Sequence, residues 1–121
     1  MERRLKKRRE FLRVAQKGVY CPAATLIVQL IPADLTSDHK TVGVGFTATR
    51  RVGGAVRRNR AKRRLREAIR RVLPTLDLPL CDIVVIAKVA TVDAPFDYLL
   101  RDLRYAIGKC LKKEVFPTDD R

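Results

Sequence analysis

The sequence predicts a single α+β domain, a small mixed sheet with helices packed on it. Three observations carry that prediction. A chain of 121 residues suits one compact domain and leaves little room for a second. Apolar residues make up 46% of it, enough to build a core. Along the chain, β-branched apolar runs alternate with stretches of helical periodicity, the pattern of helices laid over a sheet.

Each element follows from its own residues. Residues 1–9, MERRLKKRR, form a basic arm with few apolar anchors, expected to be flexible over 1–8. A short helix is predicted from Arg8 to Lys17, where Phe11, Val14 and Ala15 stand at i, i+3, i+4 and Gly18 sits at the C-cap. Ala24 to Ile31, an apolar run bounded by Pro22 and Pro32, reads as a strand. Thr41 to Thr49 reads as a second, with Val42, Val44, Phe46 and Ala48 alternating against smaller or polar residues. The polar turn between them, Asp34 to Lys40, predicts antiparallel pairing of the two. Arg50 to Gly54 is a basic connection, and Val56 to Leu73 a strong helix ended by Pro74. Asp82 to Val89, almost wholly apolar, predicts an interior strand covered on both faces. Phe96, Leu99, Leu100, Leu103, Ile107, Cys110 and Leu111 then mark an amphipathic helix, with Pro95 suited to its first turn. Residues 114–121 read as a loose tail, and 1–121 as one domain.

Charge narrows the function. The formal net charge is +14, from 27 Lys and Arg against 13 Asp and Glu, which repels itself in the free chain and calls for a polyanionic partner. Charge alone leaves RNA, DNA and an anionic membrane open. Cys21, Cys81 and Cys110 lie far apart with no C-x-x-C pair, so neither a zinc knuckle nor a redox motif is supported. With no apolar segment after the basic N-terminus and no window long enough to span a bilayer, a cytoplasmic location is expected.

The decisive stretch is Arg50 to Arg71, RRVGGAVRRNRAKRRLREAIRR. Nine Lys or Arg fall between Arg57 and Arg71, against one acid, Glu67. At about 100° per residue, Ala61, Leu65, Ala68, Ile69 and Val72 share a stripe. Asn59, Arg63, Arg66 and Arg70 take the opposite side. Arg60, Arg64 and Arg71 flank one edge, and Lys62 the other. Like charges at i, i+4 each destabilise a helix by roughly 0.2–0.5 kcal/mol, so a ridge this dense implies something that neutralises it. Arginine outnumbers lysine here, which suits bidentate phosphate contacts and stacking on bases.

The run Gly53-Gly54-Ala55-Val56-Arg57-Arg58-Asn59-Arg60-Ala61-Lys62-Arg63, with Arg66-Glu67 beyond it, resembles the signature of the bacterial ribonuclease P protein family. Leu5-Lys6-Lys7 with Phe11 and Gly18, the segment Val44 to Arg51, and Cys81 to Ala87 are similar to further parts of that family in the same order. The resemblance implies the element order α-β-β-β-α-β-α, with a third early strand that the pattern alone does not reveal. It also implies a left-handed crossover around the arginine-rich central helix, with Gly53 and Gly54 in the connection. For function it implies a protein subunit that binds a catalytic RNA and the 5′ leader of precursor tRNA, assisting endonucleolytic removal of the leader. Contacts to ribonuclease P RNA would come from Arg50, Arg51, Arg57, Arg58, Asn59, Arg60, Lys62, Arg63, Arg64, Arg66 and Arg70. Leader contacts would come from Phe11, Thr47 and Thr49, an aromatic surface suiting sequence-tolerant stacking. The chain departs from the family pattern at Ala15 and Gln29, where aromatics are common, and at Gly54, often asparagine.

No nucleophile–base pair is legible. His39 is the only histidine and lies in a polar loop, Asp34 and Asp38 have no metal-site spacing, and Asp119 and Asp120 fall in the tail. Glu67 is expected to pair with Arg63, Arg70 or Arg71. No catalytic residue, metal ligand, protein-bound cofactor, membrane contact or obligate protein partner is therefore expected. The resemblance places the active site and its Mg2+ in the RNA subunit. The competing readings are a ribosomal-type structural RNA binder, a DNA-binding regulator with its helix in a major groove, and a membrane-surface protein.

Overall fold

A computed structural model of the chain describes residues 2–33 and 40–114. In order they form β1 (Glu2–Arg4), α1 (Arg8–Lys17), β2 (Val19–Pro22), β3 (Leu26–Pro32), β4 (Val42–Thr47), α2 (Ala55–Val72), β5 (Cys81–Ala87), α3 (Val89–Asp93) and α4 (Phe96–Lys113). The five strands make one mixed sheet in the order β1-β4-β5-β3-β2. Strand β5 runs parallel to β4 and antiparallel to β3, while β1 is parallel to β4 and β2 antiparallel to β3.

The interior strand is β5, as its composition predicts. Cys81, Ile83, Val85 and Ala87 face the main core, and Val84 and Ile86 face a second one. That double burial corrects the expected pairing of the strands around it. β3 and β4 do not form a hairpin, because β5 lies between them and bonds to both. A strand apolar on both faces belongs in the interior of a sheet covered on both sides, where other strands flank it. The connection across residues 33–41 is also longer than the roughly two to five residues of common hairpin loops.

Two further elements differ from the sequence reading, and a third, β2, is the extra early strand that the family resemblance implies. The arm expected to be flexible supplies β1: Leu5 is buried, its N–H donates to the Val44 carbonyl at 2.9 Å, and Arg3 pairs with Asp82 at 2.8 Å. α3, five residues long, is too short for periodicity to reveal, and it begins where β5 was expected to continue to Val89.

The main core lies between the sheet and the pair α2 and α4. On α2 the buried residues are Ala61, Leu65, Ala68, Ile69 and Val72, the predicted stripe. Full burial of a Leu or Ile contributes about 1.5–3 kcal/mol, so this stripe offsets the repulsion on the helix's other side. The second core, Leu5, Val14, Ile31 and Val84 with Phe11 and Ile86 packed against it, lies between α1 and the opposite sheet face. The turn into α2 depends on Gly53, whose φ of 137° is a conformation side-chain-bearing residues rarely adopt. Asp34, Asp38, His39 and tail residues 115–121 lie outside the described residues. Among those described, no helix is long and apolar enough to cross a membrane.

Candidate nucleic-acid interface

Two surfaces carry the predicted residues, one on each side of the sheet. The first is the outer side of α2, where Asn59, Arg63, Arg66 and Arg70 are exposed. Glu67 accepts from Arg70 at 3.0 and 2.5 Å and from Arg71 at 2.8 Å. The Arg70 and Arg71 hydrogen bonds hold its carboxyl at about 2, well below the ordinary range. Of the expected partners, Arg63 is not used. Arg63 and Arg66 have no acidic partner among the described residues.

The arginines on one edge of α2 are engaged within the protein. Arg57 donates through Nε to the Val52 carbonyl at 3.0 Å and approaches Asp93 at 3.7 Å. Arg60 donates to Val92 O at 3.0 Å, and Arg64 to Thr91 O at 2.6 Å and also to Ala94 O. Those carbonyls sit at the C-terminal end of α3, where cations satisfy acceptors that the helix leaves open. Partial burial of Arg64 lowers its pKa, and Arg71 stacks on the Phe96 ring at 5.1 Å. Arg58 is half-buried, and its Nε has no hydrogen-bond partner among the described residues.

The second surface is the groove between α1 and the sheet. The Phe11 ring lies directly on Gly45, where a Cβ would come within 2.6 Å of two ring carbons. Only a glycine lets the ring sit so close to β4. Beside it a concavity of about 300 Å³ is lined by Arg8, Phe11, Phe46, Thr47, Ala48 and Lys62. Phe11 and Thr47 thus come together. Lys62, half-buried, belongs to this groove as well as to α2.

Across the sheet Thr47 is registered with Ile86, and Ile86 with Ile27. That row leads to a larger concavity, about 600 Å³, bounded by Ile27, Ile86, Val89, Thr49, Arg50, Arg51 and Lys88. Thr49 is therefore set apart from Phe11, beside Arg50 and Arg51. Sequence reading missed Arg8 and Lys88 as members of these surfaces. Arg8 merges into a uniformly basic arm, and Lys88 reaches the site only because β5 is central.

No other chemistry is assembled among the described residues, where no group of three or more His, Cys, Asp or Glu side chains forms a metal-binding cluster. All three cysteines are buried and free, and burial pushes the Cys81 thiol up to about 12, so it stays protonated. The α2 surface offers exposed cations, and the groove an aromatic wall beside Arg8 and Lys62.

Comparison with known proteins bears on which nucleic acid is meant. The family model described as Ribonuclease P matches residues 1–111. The chain is 46% identical over 109 residues to the ribonuclease P protein component of Paramagnetospirillum magneticum, covering 88% of this chain and 80% of that one. It is 43% identical over 106 residues to the same component of Gluconacetobacter diazotrophicus, covering 88% and 89%. Among solved structures, it superposes on the ribonuclease P protein of Thermotoga maritima with a TM-score of 0.72 at 25% identity, covering 88% of this chain and 96% of that one. The Staphylococcus aureus protein gives 0.71 at 25% identity, covering 88% and 93%.

Proposed function

This chain belongs to the ribonuclease P protein family, which processes tRNA 5′ ends together with an RNA subunit, and from that premise we propose how its two surfaces divide the work. The α2 ridge binds ribonuclease P RNA, with Arg63 and Arg66 as its uncompensated charges. The groove between α1 and the sheet holds the 5′ leader of precursor tRNA, with bases against Phe11 and phosphates near Arg8, Lys62 and the Arg50–Arg51 end.

The observation that supports this reading is that α1 and α2 cover opposite faces of one sheet, their two surfaces meeting beside Lys62. Two RNA strands can then be held by one small protein, whose charge lowers the repulsion between them. The RNA subunit supplies the active site, where Mg2+ is the expected metal. Water adds to the phosphorus at the leader junction and the bond to the leader's 3′ oxygen breaks, leaving a 5′-phosphate on the tRNA. This chain's part is to place the leader, and its place of action is the cytoplasm.

The test is cleavage of precursor tRNA by a bacterial ribonuclease P RNA at low magnesium, with and without this protein. Stimulation with correct 5′ ends, and no cleavage by protein alone, is the expected result. RNA binding with no change in cleavage, repeated with RNA from a close relative, would overturn it in favour of a structural RNA binder.

A further inference from the structure

A third basic surface lies outside both of those described. α4 presents Tyr98, Arg101, Tyr105, Lys109 and Lys112 to solvent at spacings of three or four residues, a ladder along one side of the helix. Tyr98 is 48% exposed and Tyr105 54%. The Arg101 guanidinium lies 4.4 Å from the Tyr98 ring centre, and the Lys109 ammonium 6.0 Å from that of Tyr105. Along its whole length α4 carries Arg101, Arg104, Lys109, Lys112 and Lys113 against two carboxylates, Asp97 in its first turn and the buried Asp102. This ladder lies about half a turn round the helix from Phe96, the residue on which Arg71 of α2 stacks.

The ladder borders a built recess. A concavity of about 290 Å³ opens between α4 and the β2–β3 turn, lined by Ala23, Ala24, Arg101, Asp102 and Tyr105. Its shape is held from beneath. Asp102 accepts from the Thr25 N–H at 2.9 Å, from the Thr25 hydroxyl at 2.7 Å and from Arg101 Nε at 3.1 Å. Two alanines line it beside the Tyr105 ring, and Arg101 stands at its edge. On the same side, Gly108 interrupts the helix with open space where a Cβ would project. An interior glycine costs a helix about 0.5–1 kcal/mol relative to alanine, and here no packing requires it.

Exposed rings interleaved only with cations are the elements of a single-strand nucleic-acid platform, in which bases stack and phosphates pair. A protein partner would fit exposed aliphatic side chains better, and Leu12, Val56, Leu80 and Val89 all lie outside α4. We propose that the outward face of α4 binds a single-stranded RNA segment. One unstacked base sits in the Ala23–Ala24 recess against Tyr105, a second stacks on Tyr98, and Arg101 and Lys109 hold phosphates. The two rings are seven residues apart, about 10.5 Å along the helix.

The probe is a short 4-thiouridine-substituted oligouridylate, bound to the full chain carrying Phe11→Ala so that the groove contributes less. Replacing both Tyr98 and Tyr105 with serine should weaken binding about tenfold or more, because each lost stack is worth that order. The salt slope should not change, since no charge is removed. Phenylalanine at both positions should bind within about twofold of the parent, because the rings remain. Ala24→Leu, which fills the recess and leaves the tyrosines in place, should also weaken binding and remove cross-links at Tyr105. Serine and Ala24→Leu variants that bind like the parent, or cross-links confined to α1, α2 and the sheet, would overturn the proposal. The assay contains neither catalytic RNA nor precursor tRNA, so its failure is distinguishable from failure of the cleavage test.

Discussion

At single positions, contacts that join distant segments matter more than residue type. Gly45→Ala would drive a methyl group into the Phe11 ring. The ring is the free end of a side chain and can swing away, so stability should fall by only about 1–3 kcal/mol while the groove loses its aromatic wall. The expected outcome is a small drop in Tm with a clear rise in KM for precursor tRNA, and a KM that does not change would count against the Phe11 assignment. Glu67 makes a prediction of a different kind. Its folded pKa is about 2 against an ordinary 4.5, a depressed carboxyl, so the stability it contributes is complete above about 4.5 and is lost as pH falls toward 2. Because the pair is exposed and screened by solvent, urea midpoints of the protein and of Glu67→Gln should differ only slightly at neutral pH and converge below about pH 2.

At the level of elements, α2 contains arginines of two kinds. Arg63 is exposed and has no acidic partner among the described residues, whereas Arg64 holds the end of α3 through Thr91 O and Ala94 O. Arg64→Ala should cost about 1–3 kcal/mol of stability by leaving those carbonyls short of donors. Arg63→Ala should leave the urea midpoint alone and weaken RNA-subunit binding, with a salt slope smaller by about one. The arm poses a similar test on the other sheet face. Asp82 is 8% exposed and holds Arg3 of β1 at 2.8 Å and Arg13 of α1 at 3.4 Å. Asp82→Ala removes the acceptor that Arg3 and Arg13 share, though Arg3 keeps Glu10 and Arg13 keeps Pro32 O, and a loss of about 1–3 kcal/mol is expected. Hydrogen exchange at Arg4 and Leu5 should rise with it.

For the whole molecule the governing quantity is the net charge of +14. Most of the cations lie on α2, on the α1 side of the sheet and on α4, so a partner RNA relieves self-repulsion at several places together. Affinity for ribonuclease P RNA should fall by about a thousandfold or more between about 50 and 200 mM monovalent salt, as for a protein that neutralises six or more phosphates. A dependence weaker than tenfold would mean that most of the charged surface is idle in the complex.

Much of this was legible in the sequence because it depends on local pattern. The bounds of α1, the buried stripe of α2, the apolar face of α4 and the interior character of β5 all follow from periodicities of 3.6 and 2. The ordered signature from Gly53 to Arg63 identified the family. What periodicity cannot supply is which elements meet. Nothing in MERRLKKRR announces a strand, because β1 is held by Asp82, 79 positions from its partner Arg3. The side-by-side reading of β3 and β4 failed because β5, remote in sequence, needs both as neighbours. Equal-looking arginines on α2 became different only when α3 packed against one edge, and Lys62 joined the groove only when β4 came to lie beside α2. Composition and spacing determined the elements and the charge. The tertiary structure alone decided which charges are spent holding the protein together and which are left for RNA, because that depends on carbonyls and carboxylates brought together from distant parts of the chain.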